Sequence, residues 1–178
     1  MRHVTGNCLY MAKMGSDEVL PGLFVGDASA AMQPEVAAFD VIVNVTREVP
    51  FSKLLRDDQE TVRYDILDDA SGDQASMVNI LLKAQPVIAR ALQQGKKVLV
   101  HCLEGKQRSC TVAAFCVCCI RGLPLTAACA LVWEKHRLAW DSGCYMHYED
   151  ALRTAAAQLW KQPAFFPKVS LPPDDTRG

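Results

Sequence analysis

The chain has 178 residues, 50% hydrophobic and 22% charged, enough for one globular domain with a full core and too few for a second of ordinary size. Its formal net charge is −1, with 19 Lys and Arg against 20 Asp and Glu dispersed along the sequence. No nucleic acid and no membrane is therefore expected as a partner, since neither the basic footprint of a nucleic-acid binder nor a polybasic run is present.

Residues 1–18 read as a loose leader. MRHVTGNCLYMAKMGSDE has no apolar core of a signal peptide, so the eight cysteines are expected as free thiols in a reducing compartment, cytoplasm or nucleus. Their spacing agrees, because Cys110, Cys116, Cys118 and Cys119 share one short apolar stretch in which most pairs could not reach disulfide geometry. The longest apolar run, Val112 to Ile120, falls far short of the ~20 residues of a membrane span. Arg2 and the terminal DDTRG carry no lipidation signal. A soluble monomer is expected.

From residue 20 the pattern sharpens. LPGLFVGD reads as a short strand and ASAAMQPEVAAFD as a broken helix. VIVNV (41–45) is a continuous β-branched run of the kind buried on both faces of a sheet. A polar loop follows, and Val62, Tyr64 and Ile66 then alternate as a strand does. LDDASGDQ (67–74) has turn chemistry throughout. Met77, Leu81, Ala84, Ile88 and Ala91 recur at helical spacing, with Pro86 predicted to kink or split the helix and Gly95 to stop it. KKVLVHC (96–102) is a second buried strand, and SCTVAAFCVCCIRG (109–122), apolar on nearly every face, is a central helix. Two more helices are predicted over 124–137 and 143–160, before a tail (161–178) that carries four prolines. This alternation defines an α/β fold: a central, mostly parallel sheet of about five strands with helices on both faces. In such sheets the chemistry gathers where a strand's carboxyl end turns into a helix, which singles out residues 101–109.

There the chain reads His101-Cys102-Leu103-Glu104-Gly105-Lys106-Gln107-Arg108-Ser109. A tight loop feeding a helix N-terminus turns its N–H groups inward and forms a cradle for an anion. Gly105 frees the middle of the loop from the constraint of a β-carbon. Arg108 can grip two phosphate oxygens at once, which a lysine cannot. Cys102 lies at the base of the cradle, where the N–H groups and the helix dipole favour a thiolate. A Walker loop is excluded because Gly105-Lys106 is followed by Gln107, and a dinucleotide fingerprint because the loop holds a single glycine.

This loop, with its flanking strand and helix, resembles the active-site signature of the protein tyrosine phosphatase superfamily, and within it the dual-specificity branch. The resemblance runs from about residue 20 to 155. LPGLFVGDASAA is similar to the opening strand and helix of these domains, and VIVNVTREVP resembles their second strand and turn as written in the slingshot group. GKKVLVHC and RSCTVAAFCVCCIRGLPLTAACALV follow the family's run through the active site. It implies a protein-tyrosine-phosphatase-like catalytic domain over 19–160, with Cys102 as nucleophile and Arg108 as phosphate clamp. Ser109 would help release the sulfur as well as capping its helix, and the loop residues Leu103, Glu104, Gly105, Lys106 and Gln107 would contact the substrate phosphate. The reaction also needs a carboxylic acid to protonate the leaving oxygen. Asp68, Asp69 and Asp73 are the candidates, and in the resembling domains the acid lies two residues past the last inward apolar residue of the third strand. Ile66 is that residue here, which selects Asp68.

No metal and no other cofactor is expected, because the cysteines lack the paired spacing of a zinc site. The implied partner is a phosphoprotein substrate carrying phosphotyrosine, phosphoserine or phosphothreonine. Two other readings stay open: the same chemistry on a phosphoinositide, RNA 5′-triphosphate or phosphoglucan, and a phosphate-binding module without turnover.

Overall fold

The computed structural model describes residues 15–67, 73–140 and 146–160. Most of the leader, Asp68 and Asp69, residues 141–145 and the tail lie outside them.

The fold is α/β, built on a five-stranded mixed sheet of order β1-β2-β5-β3-β4. Strands β1 (Ser16–Leu20) and β2 (Leu23–Gly26) form an antiparallel hairpin, while β2, β5 (Val98–His101), β3 (Val41–Asn44) and β4 (Glu60–Arg63) run parallel. The single strand expected across 20–27 is thus two, and β1 begins inside the stretch read as leader. The dipeptide Pro21-Gly22 reverses the chain there, with Gly22 at φ +82, a turn signal that places Val19 and Leu20 in the core. Strand β4 is displaced toward the N-terminus relative to the alternation of Val62, Tyr64 and Ile66. Its register is fixed by β3, from Val41 opposite Glu60 to Asn44 opposite Arg63, and pairing stops one bond later, Tyr64 N–H to Asn44 carbonyl.

Helix α1 (Ala28–Met32) and a 3-10 turn (Pro34–Ala38) cover one face, burying Val36, Phe39, Ile42 and Leu99. Helices α2 (Gln74–Gln93), α3 (Arg108–Arg121), α4 (Leu125–Lys135) and α5 (Glu149–Trp160) form the larger layer on the other. Helix α3 is buried from Arg108 through Ile120, as the apolar run from Val112 to Ile120 requires.

Helix α2 is not split at Pro86. The proline stands on the exposed side, where water can hydrate the carbonyl its missing N–H leaves unpaired, and Met77, Leu81, Ala84, Ile88 and Leu92 anchor both halves in the core. The final helix starts at Glu149 rather than 143, with Glu149 and Asp150 favouring its N-terminus. No helix among the described residues is long and apolar enough to cross a membrane.

Candidate active site

Parallel register sets the position of the site. Gly26, His101, Asn44 and Arg63 lie in one row across the carboxyl edge of the sheet, so the segments leaving β2, β5 and β3 emerge side by side. Cys102 is the first residue past β5 and is fully buried.

The loop from Cys102 to Arg108 is held by its carbonyls. Leu103 O accepts from Ala28 N–H at 3.0 Å and Lys106 O from Trp140 N–H at 2.9 Å. Gln107 O accepts from Thr111 N–H at 2.9 Å and from Thr111 Oγ1 at 2.8 Å, and Gly105 O from the Cys110 thiol at 3.1 Å. In a trans peptide the C=O and the following N–H point in opposite directions. Tying these carbonyls outward therefore turns the N–H groups of Glu104, Lys106, Gln107 and Arg108 toward the concave side, the geometry of an anion cradle. Gly105 sits at φ +70, and a β-carbon there would come within 3.1 Å of Asp27 N and Gly26 C, so the turn needs glycine for both conformation and room.

Arg108 is 1% exposed. Its Nη1 donates to Ile66 O at 3.0 Å and lies 2.6 Å from Glu48 Oε1. Partial burial raises the Glu48 carboxyl, but hydrogen bonding and the charge of Arg108, with backbone N–H groups, outweigh that and hold it below the usual range. The loop bearing Glu48 is itself fixed. Asn44 Nδ2 donates to Val49 O at 2.8 Å, Thr46 Oγ1 donates to Asn44 Oδ1 at 2.8 Å, and Arg63 reaches Thr46 O and Val49 O. Sequence reasoning took this stretch for a polar loop and missed Glu48. The signal available was topological: the loop after one buried parallel strand borders the loop after its neighbour, and an acid near its start can reach the arginine.

Cys102 Sγ lies 3.2 Å from Ser109 Oγ, which is 3.4 Å from Gly26 O. The hydroxyl donates to Gly26 O, and in the contact with Cys102 either the thiol or the hydroxyl can donate. Beneath them His101 is buried, and burial pushes its pKa down to about 4, partly opposed by its contact with Cys102 O. The ring is neutral at pH 7. Burial raises the thiols of Cys110, Cys116 and Cys129, the last to about 11, which leaves them as packed neutral side chains. All six described cysteines are free.

Other predicted residues divide. Leu103 and Glu104 project to solvent, with Glu104 paired to Lys106 at 3.0 Å. Gln107 is buried and its Oε1 accepts from His147 N–H at 3.2 Å. Asp73 is exposed and caps α2, its Oδ1 accepting from Ser76 N–H at 2.9 Å. Asp68 and Asp69 fall outside the described residues. The chain leaves for them from Ile66, whose carbonyl is bonded to Arg108, and from Leu67, whose carbonyl accepts from the Tyr148 hydroxyl at 3.0 Å. Among the described residues no group of three or more His, Cys, Asp or Glu could hold a metal ion.

The mixed sheet ends in a buried cysteine, a carbonyl-anchored loop and a buried arginine, and residues 23–142 match the family "Dual specificity phosphatase, catalytic domain". The chain belongs to this family, within the protein tyrosine phosphatase superfamily. It is 30% identical over 134 residues to the serine/threonine/tyrosine-interacting protein of Mus musculus, covering 71% of this chain and 59% of that one. It is 29% identical over 150 residues to the dual specificity protein phosphatase Mpk3 of Drosophila melanogaster, covering 82% of this chain and 35% of the relative. The chain spans about half the length of the curated relatives it matches. Among solved structures, a mouse dual specificity phosphatase complexed with zinc tungstate superposes with a TM-score of 0.74 at 25% identity, covering 89% of this chain and 96% of the other. Human DUSP28 superposes with a TM-score of 0.70 at 25% identity, over 82% and 95%.

Proposed function

We propose that this chain is a cysteine-dependent phosphatase that hydrolyses phosphotyrosine, phosphoserine and phosphothreonine in proteins. The observation that carries the reading is a fully buried Cys102 opening a loop whose carbonyls are bonded to neighbouring donors, and a buried Arg108 closing it. Phosphate in the cradle is held by N–H groups and the Arg108 fork, which stabilise charge on its equatorial oxygens. The Cys102 thiolate attacks phosphorus in line, the ester P–O bond breaks, and Asp68 gives its proton to the leaving oxygen. Water then attacks the thiophosphate, losing a proton to Asp68, and the S–P bond breaks to return the thiolate and inorganic phosphate. Ser109 donates to the departing sulfur, for which the 3.2 Å contact is suited. The carbonyl of Ile66, two residues before Asp68, is bonded to Arg108, which supports Asp68 over Asp73, whose carboxylate is engaged as a helix cap. A structural neighbour complexed with zinc tungstate supports the binding of an oxyanion by this chain.

The competing reading is phosphate recognition without turnover, favoured by relatives named for interaction rather than catalysis. A panel of phosphotyrosine, phosphoserine and phosphothreonine peptides, with wild type and Cys102→Ser, separates the two. Hydrolysis of all three by wild type, lost at least a hundredfold in Cys102→Ser with phosphate binding retained, supports the phosphatase. Binding without hydrolysis by wild type selects the recognition module, and residual turnover in Cys102→Ser sinks the nucleophile assignment.

A further inference from the structure

Gly105 is the tightest point of the loop, and its carbonyl has a second donor that the proposed chemistry does not use. His136, the residue closing α4, is 1% exposed and places Nε2 at 2.7 Å from Gly105 O. Its Nδ1 lies 2.7 Å from Asp17 Oδ2 on β1. A carbonyl oxygen and a carboxylate oxygen both accept, and a ring that donates to both from its two nitrogens is the imidazolium. Among the described residues, Cys110 from α3 also faces this point and shares the Gly105 carbonyl. Lys135 and Arg137, on either side of His136, are exposed, and Arg137 stacks on Trp133. Asp17 is thus the charged partner that the contacts supply to the buried ring.

We propose that His136, held as a cation between Asp17 and the Gly105 carbonyl, is a positioning residue for the phosphate loop. This rests on the phosphatase reading above for its effect on turnover, but not for its effect on anion binding. The Gly105 carbonyl and the Lys106 N–H belong to one peptide plane, so the bond that draws the carbonyl outward aims that N–H at the anion. A charged donor makes a stronger bond than a neutral one, and the imidazolium adds positive charge beneath the cradle. Strand β1, although absent from the parallel core of the sheet, is thereby coupled to the site through one carboxylate.

The test has a spectroscopic arm and a binding arm. Long-range 1H–15N spectra at pH 7, with His136 assigned from His136→Gln, should show both ring nitrogens protonated in wild type and a neutral ring in Asp17→Asn. Inhibition by orthovanadate and affinity for inorganic phosphate should both weaken about tenfold in Asp17→Asn, and kcat should fall with them while the folded fraction stays unchanged. The Asp17 side chain is 38% exposed, so its near-isosteric change serves even where His136→Gln does not fold. A neutral His136 in wild type, or unchanged anion affinity in Asp17→Asn, overturns the proposal. Absence of turnover in wild type alongside the predicted spectra and binding losses would reject the phosphatase reading and leave the clamp in place.

Discussion

Helices α2 and α3 are the two long helices of the larger layer, and they begin in opposite ways. Helix α2 starts at the surface with a carboxylate cap, Asp73 accepting from Ser76 N–H at 2.9 Å. Helix α3 starts in the interior, and Gln107 at its N-cap position makes no capping bond, its side chain turned instead to His147 N–H. Nor does its first turn hold an acid. The orphan N–H groups and positive dipole end of a helix call for a negative partner. In α2 that partner is built into the sequence; in α3 it would be the phosphate of the proposed reaction, held by Arg108 and the loop. A buried helix end without its own cap, beside a buried arginine, is what distinguishes a binding helix from a structural one in this fold.

The largest way to break the contrast is to weaken the anion end of α3. Arg108→Lys loses the planar fork that bonds Ile66 O and pairs with Glu48, and a point charge cannot hold two phosphate oxygens in the same geometry. Steady-state kinetics on an aryl phosphate should show kcat/KM reduced about a thousandfold, ~4 kcal/mol of transition-state stabilisation, with the fold intact by circular dichroism. A loss under tenfold would mean that charge alone, not bidentate geometry, serves this site.

Much of this was legible in the sequence because the strongest signals were local. The β-branched run 41–45, the strand 96–102 and the largely apolar stretch after Arg108 have patterns that suit buried elements, and the spacing of Cys102, Gly105 and Arg108 marked the loop. The hairpin at Pro21 and Gly22 was blurred because Ser16, Asp17 and Glu18 are too polar to read as strand, yet at the sheet edge they need only one paired neighbour. Pro86 did not split α2 because the helix is anchored in the core on both sides of it. Glu48 and His136 act across 60 and 31 positions of sequence, reaching Arg108 and Gly105 respectively, contacts that no periodicity encodes.

The floor of the α3 site should also respond to acid in a way that α2 does not. His101 is buried with its pKa lowered to about 4, against about 6.5 in an unfolded chain. Between these values the unfolded state takes up a proton that the folded state refuses, so stability is complete above pH 6.5 and falls as the pH drops toward 4. The full loss is about 3 kcal/mol, roughly 1 kcal/mol of it between pH 6.5 and 5.5. Urea unfolding at those two pH values should show this difference in wild type and lose most of it in His101→Gln. An equal pH slope in both proteins would assign the acid sensitivity elsewhere.

The smallest expected effect lies at the capped helix, and it sharpens the contrast from the other side. Asp73→Ala removes the oxygen that accepts from Ser76 N–H, leaving one orphan donor of the first turn to water. The carboxylate is held below its usual pKa by the side-chain and backbone bonds at Ser76, so this contribution is present above the unfolded carboxylate range and fades as the pH falls through it. Thermal denaturation at pH 7 should therefore show a few degrees of destabilisation, largely gone at pH 3. Phosphate affinity and the pH dependence of kcat should not move, because Asp73 already has a structural task and the proton donor proposed here is Asp68. If Asp73→Ala instead removes the basic limb of the pH–rate profile while leaving the denaturation midpoint unchanged, the cap is incidental, and the acid of the reaction sits five residues further along the chain than Asp68.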